Sequence, residues 1–126
     1  MNKIGIGVLT YKNSETFNKL MDSIPKWIDT YVVYAHHAYP NVSELNIKQS
    51  FEFGRPSCIS WGKNQLLRMM LNDECKHLFL LEDDIEIINP MVFEKYIEGA
   101  EASGILSLCY KGDSNTRNAI DYNGVG

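Results

Sequence analysis

Long hydrophobic runs are missing from this sequence. Stretches such as Leu78 to Leu81 stop after a few residues, against the ~20 that a membrane-spanning helix needs. Basic charge is also scarce: Lys and Arg total 12 against 16 Asp and Glu, a formal charge of −4. That balance argues against a basic nucleic-acid-binding face and against a polybasic membrane anchor. Cys58, Cys75 and Cys109 are odd in number, far apart and without a CxxC spacing, which argues against a disulfide framework or a structural zinc site. The N-terminus reaches glycine and then a polar turn at Tyr11-Lys12-Asn13, with no long apolar region or cleavage site of a signal peptide. The expectation is a reduced, cytoplasmic chain. Two phosphate-binding signatures are absent as well. Gly5 and Gly7 are followed by Val8, Leu9 and Thr10, so no G-x-G-x-x-G forms, and no G-x-x-x-x-G-K-S/T occurs anywhere. What remains is an ordinary globular composition. With 126 residues, 44% apolar and 22% charged, the chain can build one compact domain and is too apolar for disorder.

The pattern alternates between two periods. Ile4-Gly-Ile-Gly-Val-Leu-Thr10 is a short apolar run that ends in polar residues, as a buried parallel strand does. Phe17, Leu20, Met21 and Ile24 then recur at i, i+3, i+4, i+7, one face of a helix, with Ser14 as N-cap and Pro25 as stop. Tyr31 to Ala35 is β-branched and aromatic and reads as a second strand. Residues 36–56 are irregular apart from a short strand at Ser50 to Phe53. A helix is expected from about Ser60 to Leu71, with Leu66, Leu67, Met70 and Leu71 on one side. His77 to Leu81 reads as a buried strand that stops abruptly at Glu82-Asp83-Asp84. Asn89-Pro90 supplies an N-cap and a first-turn proline for a helix whose apolar face is Phe93, Ile97 and Ala100. Ser103-Gly104 closes it, and Ile105 to Tyr110 reads as a further strand. The tail from Lys111 is polar and without period. Strands alternating with helices predict an α/β domain with a mostly parallel sheet and helices on both faces. Ligands of such sheets bind outside the carboxyl ends of the strands. That rim collects Thr10-Tyr11-Lys12-Asn13, His36-His37 and Glu82-Asp83-Asp84.

The acidic triplet is the sharpest feature. Three adjacent carboxylates repel one another by ~1 to 4 kcal/mol per close pair, and a divalent cation converts that repulsion into binding. Mg²⁺ or Mn²⁺ takes one or two carboxylates and completes its shell with phosphate oxygens and water. The plainer reading is a solvated acidic turn where a strand surfaces. His36-His37 read as ligands or as a solvated or base-stacking pair. The cysteines lack a neighbouring histidine, so a nucleophilic role is not expected. Tyr31, Tyr34 and Tyr96 fall where core packing explains them. Asn41-Val42-Ser43 spells a glycosylation sequon, which without a signal peptide carries no meaning.

Three segments, in order, resemble nucleotide-sugar glycosyltransferases of the GT-A fold, family-2-like members in particular. Ile6-Gly-Val-Leu-Thr-Tyr-Lys-Asn13 is similar to their first strand and Thr-Tyr-Asn-type turn. Trp61-Gly62-Lys63-Asn64-Gln65-Leu66-Leu67 resembles their helix before the metal motif. Leu80-Leu81-Glu82-Asp83-Asp84-Ile85-Glu86, followed by Asn89-Pro90, is similar to their DxD segment. The Glu-Asp-Asp spelling is closest to animal N-acetylglucosaminyltransferases acting on N-glycans. The resemblance spans roughly residues 3–110.

It implies a Rossmann-like nucleotide-sugar-binding domain over 1–110. Residues 111–126 would be a polar tail or the start of an acceptor-binding half. Asp84 would hold the Mn²⁺ or Mg²⁺ that bridges the donor diphosphate. Glu82 would face the ribose, and Asp83 the donor sugar or a metal-bound water. Thr10 and Tyr11 would line the nucleoside pocket, with Asn13 of the same turn among the nucleotide-sugar-binding residues. Lys63 would approach the base or the phosphates. The implied activity is transfer of a sugar from UDP or another nucleoside diphosphate to a hydroxyl, commonly on a glycan. Two departures stand out. Many relatives place an acidic residue after the second strand to read uracil, whereas this chain has Tyr34-Ala-His-His-Ala38. Only 42 residues follow Asp84, 126 less 84, and no catalytic base is assigned among them. The alternatives are a nucleotide-sugar-binding module or truncated fragment that keeps donor affinity without transfer, and an unrelated flavodoxin-like domain with an acidic pocket.

Overall fold

The computed structural model describes residues 3–10, 15–35, 47–53, 59–104, 109–110 and 119–120. In chain order the elements are β1 (Ile4–Thr10), α1 (Glu15–Ser23), β2 (Asp29–Ala35), β3 (Gln49–Phe53), α2 (Ile59–Asn72), β4 (His77–Leu81), α3 (Val92–Ser103), β5 (Cys109–Tyr110) and β6 (Ala119–Ile120). The chain divides into two units, Met1–Glu86 and Ile87–Gly126.

The first unit holds a four-stranded sheet in the order β3-β2-β1-β4. Every neighbouring pair is parallel, so Gly7 lies beside Tyr31 on one side and Leu80 on the other. The fold is therefore α/β with a parallel sheet, as the alternating periods require. From β1 the chain steps outward to β2, whereas from β3 it crosses back over the sheet to β4. Under the right-handed rule for parallel crossovers, these opposite directions place α1 and α2 on opposite faces.

Close approach marks the α2 face. A Cβ on Gly7 would lie 3.0 Å from the Met70 Cε and 3.2 Å from the Leu66 Cβ, and one on Gly62 would lie 2.7 Å from a Leu9 methyl. Tyr31, Val33, Leu66, Met70 and Cys75 form the buried cluster on this side. By strand alternation Ile6, Val8, Thr30 and Val32 point the other way, and all four are buried. Phe17, Leu20 and Met21 of α1 are buried too, each such side chain contributing ~1.5 to 3 kcal/mol. Leu71, expected on the buried side of α2, is 61% exposed. It falls beyond the i, i+4 row of Leu66 and Met70, in the last turn of the helix.

One expectation about β4 is corrected. It reads as a buried strand, yet among the described residues it pairs on the β1 side alone, and Leu80 is 39% exposed. An apolar run reports that a strand's faces are covered and is silent on whether a neighbour completes its second edge.

In the second unit, α3 buries Val92 and Phe93. Its N-cap is Met91, not Asn89. Asn89 acts one step earlier, its Oδ1 accepting from the Met91 N–H at 3.0 Å and its carbonyl accepting from the Val92 N–H at 3.1 Å. The Asn-Pro pair thus builds the turn that leads into the helix. Gly104 closes α3 at φ 74°, its N–H donating to the Ala100 carbonyl. This left-handed position favours glycine. Of the expected strand 105–110, residues 105–108 lie outside the described set. Cys109–Tyr110 pairs in parallel with Ala119–Ile120 in a separate two-stranded sheet, so the tail is not wholly without structure.

Candidate functional site at the strand switch point

The crevice that matters lies between β1 and β4, where strand order reverses. Binding sites of open parallel sheets form outside the carboxyl ends at such a point. Val8 lies beside Leu81, so the exits of β1 and β4 are neighbours. Thr10 and the acidic triplet therefore meet despite a separation of 73 residues. The Thr10 hydroxyl donates to the Asp83 Oδ2 at 2.9 Å. Thr10 is fully buried, so it reaches the site by aiming Asp83.

The three carboxylates do not act alike. Asp83 is half-buried, while Glu82 and Asp84 are exposed on the turn. Lys63, one turn into α2, places its Nζ 3.8 Å from the Glu82 Oε1. Gly62 lets α2 approach Leu9 closely enough for this. Between α2 and the strand ends is a pocket of about 110 Å³. Gly7, Leu9, Leu66, Leu80 and Leu81 form its apolar walls, and Lys63, Glu82 and Asp83 add charge. A whole small-molecule ligand usually needs ~300 Å³ or more, so this pocket suits one group of a larger ligand.

Four of the residues singled out in sequence, Thr10, Lys63, Glu82 and Asp83, are thus brought together. Asp84 follows on the same turn. Tyr11, Asn13, Ser14, His36, His37, the sequon at 41–43 and Cys58 lie outside the described residues. Sequence reasoning missed the leucine walls. Their signal was small Gly7 and Gly62 facing Leu9 and Leu66 across the helix–sheet contact.

Among the described residues no group of three His, Cys, Asp or Glu side chains converges to hold a metal. Asp83 is engaged by Thr10 and Glu82 by Lys63, while Asp84, exposed like Glu82, follows on the same turn. That arrangement fits a hard cation carried by one carboxylate, water and phosphate oxygens, and does not fit a cage of protein ligands alone.

A second charged cluster sits at the opposite, amino end of the strands. Asp73, just after α2, accepts from the Tyr31 hydroxyl, and the Lys3 Nζ lies 2.9 Å from it. Lys48 lies 3.6 Å away, and both lysines also approach Asp29. The Tyr31 hydroxyl and Lys3 hold the Asp73 carboxyl down at about 2. Burial, then the bond to Asp73, pushes the Tyr31 hydroxyl well up. The bond to Asp73 also raises the Lys3 ammonium. These contacts tie the starts of three strands to the end of α2.

No family model, curated protein or solved structure matches the chain. No helix among the described residues is long and apolar enough to cross a membrane.

Proposed function

We propose that this chain is a GT-A-like, donor-binding domain of a metal-dependent glycosyltransferase, taking a nucleoside-diphosphate sugar and passing the sugar to an acceptor hydroxyl. The observation that carries this reading is the Thr10–Asp83 hydrogen bond at the switch point. It holds an acidic turn beside a lysine-edged pocket where a phosphorylated ligand would lie. Lys63 meets the phosphates, and Glu82 faces the ribose. Asp83, aimed by Thr10, faces the donor sugar. Asp84 holds Mn²⁺ or Mg²⁺, which when bound offsets charge on the leaving diphosphate. Tyr11 and Asn13 are assigned to the nucleoside side by resemblance alone.

The test is release of nucleoside diphosphate from a panel of sugar nucleotides with Mn²⁺, with and without glycan acceptors. Release that stops in EDTA and in Asp84→Asn supports transferase chemistry. Nucleotide binding without release assigns the chain to the non-catalytic binding module instead. Neither binding nor release refutes both.

A further inference from the structure

We propose that Glu82 weakens anion binding in this pocket when no divalent cation is present, by competing with the incoming anion for Lys63. The inference rests on the donor-binding reading and concerns regulation of that same site. The Lys63 ammonium and the Glu82 carboxylate are 3.8 Å apart, with side chains 41% and 71% exposed. Leu66, which lines the same pocket, is 1% exposed. The ion pair therefore stands at the opening, above an apolar floor.

An ammonium is a compact charge with three donors and pairs as readily with a phosphate oxygen as with a carboxylate. A diphosphate that engages Lys63 must displace Glu82. The displaced carboxylate then faces the anion at short range, and like charges there repel. With a divalent cation on the diphosphate, the same carboxylate faces a neutralised or positive neighbour, and the repulsion is removed. Asp83 cannot perform this exchange, because the Thr10 hydroxyl holds it at 2.9 Å. Once released from Lys63, Glu82 is available to ribose hydroxyls, consistent with its place in the donor site. The pair is exposed, so its displacement is easy and the effect is graded.

Inorganic pyrophosphate is the probe, titrated calorimetrically into the full chain in EDTA and in Mn²⁺. Glu82→Gln is expected to tighten pyrophosphate by about two- to fivefold in EDTA, the range of an exposed ion pair. It is expected to give no gain in Mn²⁺. Adding Lys63→Gln to Glu82→Gln should abolish the gain. No tightening in EDTA overturns the proposal, and so does an equal gain in both conditions. If UDP or GDP binds in Mn²⁺ without a Glu82→Gln gain in EDTA, only the exchange fails. If wild type binds neither pyrophosphate nor UDP nor GDP in Mn²⁺, the donor-binding reading fails with it.

Discussion

Thr10 is buried, yet its hydroxyl reaches the acidic turn. Thr10→Val keeps the shape and removes the donor, leaving a half-buried carboxylate without that partner. The expected loss is about 1 kcal/mol in denaturant unfolding, together with weaker nucleotide binding, whereas Thr10→Ser should keep both. Unchanged stability and binding in the valine variant would show that Asp83 needs no aiming. The residues of the triplet should also separate by function. Asp84→Asn removes the charge of the assigned cation ligand, so metal-dependent nucleotide binding should collapse. Glu82→Gln should weaken nucleotide binding less, because an amide still hydrogen-bonds a ribose hydroxyl. The reverse order in titrations with UDP and Mn²⁺ would exchange their roles.

The elements were legible in the sequence to different degrees, for physical reasons. β4 and its acidic end stood out because four apolar residues, Leu78 to Leu81, stop at three carboxylates. The i, i+3, i+4 row of Phe17, Leu20 and Met21 marked α1, and all three are buried. The exposure of Leu80 in β4 was not legible, since composition does not tell how fully a strand is covered. The Thr10–Asp83 bond was hidden too, because strand order alone makes those residues adjacent. α2 carries Lys63 to the site, and its seating depends on Gly62. Gly62→Ala should improve helix propensity by ~1 kcal/mol. It also drives a methyl to 2.7 Å from Leu9, an overpacking cost of ~1 to 3 kcal/mol. The net expectation is a lower melting temperature, and a rise would show that Leu9 yields freely. At the far end of α2, Asp73 is held at about 2, below its ordinary 3.8. A depressed carboxylate stabilises the fold above its unfolded value and loses that contribution as pH falls toward its folded value. Unfolding followed from pH 5 to pH 2 should show stability falling below about pH 4. Asp73→Asn should flatten that fall, and an unchanged acid limb would remove Asp73 as its source.

At the scale of the molecule, a parallel sheet with a reversal of strand order brings one hydroxyl, one lysine and the acidic turn to a single crevice. The proposed role of this crevice is to bind a nucleoside diphosphate together with a divalent cation. Thermal unfolding with UDP or GDP, in Mn²⁺ and in EDTA, tests it most directly. A ligand at a hundredfold over its dissociation constant should stabilise the fold by ~2.7 kcal/mol with Mn²⁺, and by clearly less in EDTA. Nucleotide-dependent stabilisation that is equal in Mn²⁺ and EDTA, or absent from both, would contradict the account.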